Sequence, residues 1–78
     1  MILPFNIDLV DEAIELGGKV ITKENKEVIN LENHIGFLVG WIRDIRDGEK
    51  LRIYHQWNSE GKTYSKDRNF DLIINMPD

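Results

Sequence analysis

The spacing of apolar positions changes once near the start of this chain, and the change separates a helix from a run of strands. Leu9, Val10, Ala13, Ile14 and Leu16 fall on one stripe near helical spacing. Asp8 precedes the stripe as an N-cap, whose side chain can accept from free first-turn N–H groups. Asp11 and Glu12 stand where the helix dipole favours acids. Gly17-Gly18 ends the pattern, because glycine readily takes the left-handed C′ conformation. The spacing predicts a helix of about two turns, too short to hold without docking.

From Lys19 the period is that of strands. Lys19–Thr22 is β-branched at its centre, and Glu27–Leu31 returns after a polar Lys23–Lys26 turn. Glu32-Asn33-His34 reads as a loop, and Ile35–Arg43 is the most apolar segment and the strongest strand. Asp47-Gly48 is a two-residue hairpin signal, since a type I′ turn needs positive φ at both positions. Lys50–Trp57 then alternates cleanly. Asn58–Gly61 is a turn, Lys62–Ser65 a short strand, and Phe70–Ile74 a last strand or docked tail before a frayed end at Asn75–Asp78. The predicted fold is α+β: a short N-terminal helix packed on an antiparallel β-meander of four to six strands, in a single domain over 1–78.

A two-residue loop at Asp47-Gly48 sets the register of its hairpin. Ile42 lies opposite Ile53, Gly40 opposite His55 and Leu38 opposite Trp57, on an apolar face that receives the helix. The other face pairs Trp41 with Tyr54, Arg43 with Arg52 and Val39 with Gln56, with Phe37 and Ile45 beside them. One short helix covers only one side of a meander, and strands apolar on both faces are usually buried on both. The second face therefore needs a cover: the chain's own tail, a second copy or a ligand.

Composition narrows what can occupy it. The chain has 78 residues and no cysteine, so packing or assembly must supply its stability. A thin core and a two-sided apolar sheet favour a homo-oligomer. The net charge of −4 argues against long nucleic acid, which needs a cationic surplus. No apolar stretch is long enough for a membrane span, and the N-terminal apolar run is broken by Pro4, Asn6 and Asp8. The expected setting is the cytoplasm of a host cell, a compartment with which the lack of cysteine is compatible.

Catalytic and metal signals are weak. His34 and His55 lack ligand spacing, and His55 on an apolar face reads as a packed structural histidine. Ser59 and Ser65 lack a nucleophile elbow, and Gly17-Gly18-Lys19 ends a helix where a phosphate loop would begin one. No metal, no cofactor and no enzymatic activity are expected. Aromatics interleaved with cations remain. Trp41, Arg43, Arg52, Tyr54 and Gln56 share the second face, and Tyr64 and Arg68 follow in the chain. Such a set can stack a base and hold a phosphate. The same residue types also anchor protein interfaces.

The chain resembles small uncharacterised phage and prophage domains of the Bacteroides type. The likeness lies in Phe5–Leu9, Gly18–Lys23 and Lys26-Glu27-Val28, then Gly40-Trp41, Trp57–Tyr64 and Phe70–Ile73. Lys23–Lys26 departs from it, since the group often shows a basic residue and Asp-Gly there. The resemblance implies a β-rich fold and a phage-type origin, and it transfers no site residue. The expected function is a non-catalytic anti-defence inhibitor or sponge. It would sequester a host immune protein or a nucleotide-derived immune signal. The alternative is an interaction module that assembles as a homo-oligomer, or an acidic inhibitor of a nucleic-acid-binding protein using Asp44, Asp47 and Glu49.

Overall fold

The computed structural model of the protein describes residues 1–77. Its strands are β1 (Ile2–Pro4), β2 (Lys19–Thr22), β3 (Val28–His34), β4 (Phe37–Arg46), β5 (Glu49–Asn58) and β6 (Leu72–Asn75). Among the described residues there is one α-helix, α1 (Val10–Glu15), and 3-10 turns cover Ile7–Leu9 and Arg68–Phe70. The class is α+β. The strands form two antiparallel sheets of three, ordered β1-β6-β2 and β3-β4-β5, where one meander was expected.

The β4–β5 hairpin follows the register expected from its turn. Asp47 and Gly48 take φ of 51° and 78°, and the ladder runs from Arg46↔Glu49 to Phe37↔Asn58. β3 extends further than its pattern suggests. Gly36, at φ 82°, closes a tight turn with Ile35, so Glu32–His34 is strand and Ile35 is fully exposed at the tip. A bulge separates Ile29 from Glu32, with Asn30 left-handed at φ 52°.

The helix starts and packs differently from its stripe. Asn6, not Asp8, caps the first turn, its side chain accepting from the Asp8 N–H at 3.0 Å. Gly17 donates to Ile14 and Gly18 to Ala13, the paired bonds of a Schellman ending. Only Val10 and Ala13 are buried, while Leu9, Ile14 and Leu16 are exposed. A helix of six residues presents too narrow a face to cover the meander, and the second sheet shares that role.

The second sheet is built from both ends of the described chain. β6 runs between β1 and β2, and Met1 and Met76 exchange backbone bonds of 2.9 and 2.8 Å. Asn75 and Met76 are therefore paired rather than frayed, while Asp78 lies outside the described residues. Lys62–Ser65 is not a strand. One isolated bridge, Trp57↔Thr63, is all that forms there. Among the described residues no helix is long and apolar enough to cross a membrane.

The core gathers Val10, Val20, Val28, Leu38, Ile42, Trp57 and Leu72, with Phe5, Ile7, Leu31, Ile53 and Phe70 against it. Trp57, Leu38, Ile42 and Ile74 are wholly buried. The Trp57 indole N–H donates to the Phe70 carbonyl at 2.7 Å. Gly61, at φ 76°, lies so close to the Phe5 ring that a Cβ would collide with it. Trp57→Phe should cost about 2–3 kcal/mol, from a residual cavity and an unpaired carbonyl. Urea unfolding should show a lower midpoint at unchanged slope.

Candidate ligand-binding face

The period of two along β4 and β5 sends alternate side chains to opposite faces. One face enters the core. The other carries Trp41, Arg43, Arg52, Tyr54 and Gln56, in the pairs Trp41↔Tyr54, Arg43↔Arg52 and Val39↔Gln56. Residues 72–75 are the central strand of the other sheet and do not cover this face; on it Val39 is buried and Phe37 half-buried, while Trp41, Arg43, Arg52, Tyr54 and Gln56 are exposed.

Trp41 and Tyr54 meet edge to face, with centroids 5.0 Å apart and planes at 64°. They are 38% and 57% exposed, although each is large and apolar in body. With Asn30, Leu31 and Glu32 of β3 they line an open depression of about 440 Å³. On the next rung two guanidinium side chains stand directly opposite each other, their Cβ atoms about 4.5–5.5 Å apart by strand geometry. Like charges so placed repel. Glu27 partly balances them, 3.6 Å from Arg43, while among the described residues Arg52 makes no ion pair. Arg43 and Arg52 border a second depression of about 520 Å³ at the hairpin end, lined also by Lys26, Lys50, the carboxylates Glu27 and Asp44, and Leu51 of the other face. A cross-strand Arg pair beside exposed rings can hold an anion attached to a flat ring system.

Tyr64 and Arg68 do not join this group through any ring contact or hydrogen bond among the described residues. Tyr64 is exposed in the loop after the Thr63 bridge. Arg68 donates to the Thr63 carbonyl at 3.4 Å, so it braces its own loop. The contributions of β3 were not visible in the sequence. Glu32 arrives through strand pairing, Glu27 from just before β3 through the Arg43 N–H bond to its carbonyl, and a bulge at Asn30 shifts the β3 register between them. Asn30, set between the apolar Ile29 and Leu31, was the one available signal.

Of the acids at the hairpin, Asp44 is less free than it looks in sequence, while Asp47 and Glu49 are exposed. Asp44 accepts from the Ile45 N–H at 2.8 Å, and it contacts Lys26 at 3.2 Å and Arg46 at 3.1 Å. The Ile45 amide first, then Lys26, hold its carboxyl below the ordinary value. Lys26 is raised in turn, by Asp44 and Glu24. Asp44 thus ties the end of β4 to the turn before β3, and its carboxylate is already occupied.

His55 lies on the core side. It stacks on Phe70 at 4.9 Å, packs at 4.8 Å against Trp57, and its Nε2 meets Thr63 Oγ1 at 2.9 Å. Thr63 Oγ1 also accepts from the Ser65 N–H, and the Thr63 N–H donates to the buried Asp71 carboxylate at 2.8 Å. These contacts fasten the 59–71 loop to β5, with partners eight residues apart that no local pattern links.

No family model matches the chain, and neither does any curated protein or solved structure.

Burial holds the His55 pKa below its ordinary 6.5. Below that pH the unfolded chain binds a proton that the folded ring resists. Its contribution is complete above about pH 6.5 and is lost as pH falls toward the folded value. The urea midpoint should therefore drop between pH 7.5 and 5. His55→Gln should flatten that slope.

Proposed function

We propose that this chain is a non-catalytic binding protein whose working surface is the outer face of the β3-β4-β5 sheet. Its ligand is a small anion carrying a flat aromatic ring, the chemistry of a nucleotide. The observation that carries this reading is the ladder of two cross-strand pairs, Trp41–Tyr54 and Arg43–Arg52, whose four side chains are all exposed on one face. The rings offer a surface for stacking. The opposed guanidiniums gain most from an anion between them, since it relieves their mutual repulsion. Gln56 lies one pair further along the same face and offers amide hydrogen bonds to a base edge.

Stacking rings and guanidiniums bind and orient rather than transfer protons, which suits sequestration. Together with the phage-type resemblance, that suits a sponge for a nucleotide-derived immune signal. The net charge of −4 does not oppose it, because the cations that matter lie together on one face.

Trp41 is the exposed one of the two tryptophans and Trp57 the buried one, so intrinsic fluorescence reports this face selectively. Titration with linear and cyclic nucleotides should quench it and raise the melting temperature. Trp41→Phe should remove the quenching. The double variant Arg43→Ala, Arg52→Ala should weaken binding at least about tenfold, the loss expected when charge-assisted hydrogen bonds to phosphate go. The absence of both quenching and a melting shift at millimolar nucleotide would sink the proposal.

A further inference from the structure

β5 pairs with β4 along one edge and is open along most of the other. In a hairpin closed by Arg46↔Glu49, the backbone groups of Leu51, Ile53 and His55 point to β4. Those of Lys50, Arg52 and Tyr54 point outward. Two bonds agree with this alternation. The Arg43 N–H turns away from β5 to the Glu27 carbonyl, and the Asn58 N–H turns away from β4 to the Lys62 carbonyl. The Thr63 bridge to Trp57 closes the edge beyond Gln56. Among the described residues no backbone bond reaches Lys50, Arg52 or Tyr54 from that side.

We propose that this edge receives an extended segment of a partner protein in which acidic and apolar side chains alternate. An added strand continues the pleat, so its side chains fall beside those of β5 face by face. On the outer face it meets Lys50 and Arg52, which are exposed, with Arg43 one strand further in. Carboxylates fit there. On the inner face it meets Leu51 and Ile53, both half-buried, where apolar side chains extend the core.

A second copy of the chain fits this edge poorly. Two-fold pairing centred on Arg52 sets that residue against itself, and pairing centred on Leu51 sets Lys50 against Arg52. Pairing centred on Ile53 puts Glu49 of the second copy beside Trp57, where Thr63 already bridges. Exposed cations on an edge strand are a usual guard against self-association, and the same cations select an acidic strand. This inference rests on strand geometry and is independent of nucleotide binding.

The test is amide hydrogen exchange by NMR on the whole chain, with a capped Glu-Val-Glu-Val-Glu peptide as probe and Lys-Val-Lys-Val-Lys as control. The acidic peptide should slow exchange at Lys50, Arg52 and Tyr54, and its affinity should fall as salt rises. The control should do neither. Arg52→Glu should weaken the acidic peptide several-fold and favour the control. Arg52→Gln, which keeps a polar side chain without charge, should show an intermediate loss. The proposal is overturned if neither peptide protects these amides at millimolar concentration, or if both protect them equally. Protection of the same amides without peptide, in a dimer by native mass spectrometry, overturns it in favour of self-pairing.

Discussion

Trp57 is wholly buried between the two sheets, and its indole N–H donates to the carbonyl of Phe70. One end of that bond is on β5 of the meander. The other is on the segment that leads into β6, the central strand of the second sheet. A cysteine-free chain of this length has no disulfide to cross-link its two sheets, so packing must join them. The indole brings large apolar area and one polar atom, and both are satisfied at the same place. His55 packs on the same two aromatics and binds Thr63, which binds Asp71, so the long loop between the sheets closes onto the tryptophan.

That anchor decides which face of the meander is left for other work. With Leu38, Ile42 and Trp57 committed to the core, the pleat must direct Trp41, Arg43, Arg52 and Tyr54 outward. The tail belongs to the second sheet and cannot return to cover them. The result is local chemistry that differs from the net charge. Asp8, Asp11, Glu12 and Glu15 are grouped in and just before α1, while Arg43, Lys50 and Arg52 share the outer side of the hairpin. A binding partner responds to the local field, not to the sum.

The hairpin was legible because its signals are local. Asp47-Gly48 restricts the turn, the turn restricts the first pair, and strict alternation carries the register to Leu38↔Trp57. The glycine ending of α1 was legible for the same reason. Elsewhere apolar character misled. Ile35 belongs to an apolar run but sits at a turn tip, because Gly36 supplies the positive φ that lets β3 and β4 pair up to it. Leu9, Ile14 and Leu16 follow helical spacing yet stay exposed, because a helix of six residues buries only Val10 and Ala13. The short β1 pairs across nearly the whole chain, and Ile2-Leu3-Pro4 has no pattern of its own to announce it.

From its sequence alone this protein has an α+β composition of elements, the register of its central hairpin, and the hairpin's own share of the aromatic and cationic face. Those follow from backbone restrictions at glycine and aspartate and from a period of two, and such constraints act between neighbours. Only the tertiary structure decided that the strands divide into two sheets and that the tail enters the second one. It also decided that Glu27 meets Arg43, that Asp44 is occupied, and that Tyr64 and Arg68 belong to a loop rather than to the face. These depend on contacts between distant segments, set by which arrangement best buries Trp57 and pairs the backbone groups around it.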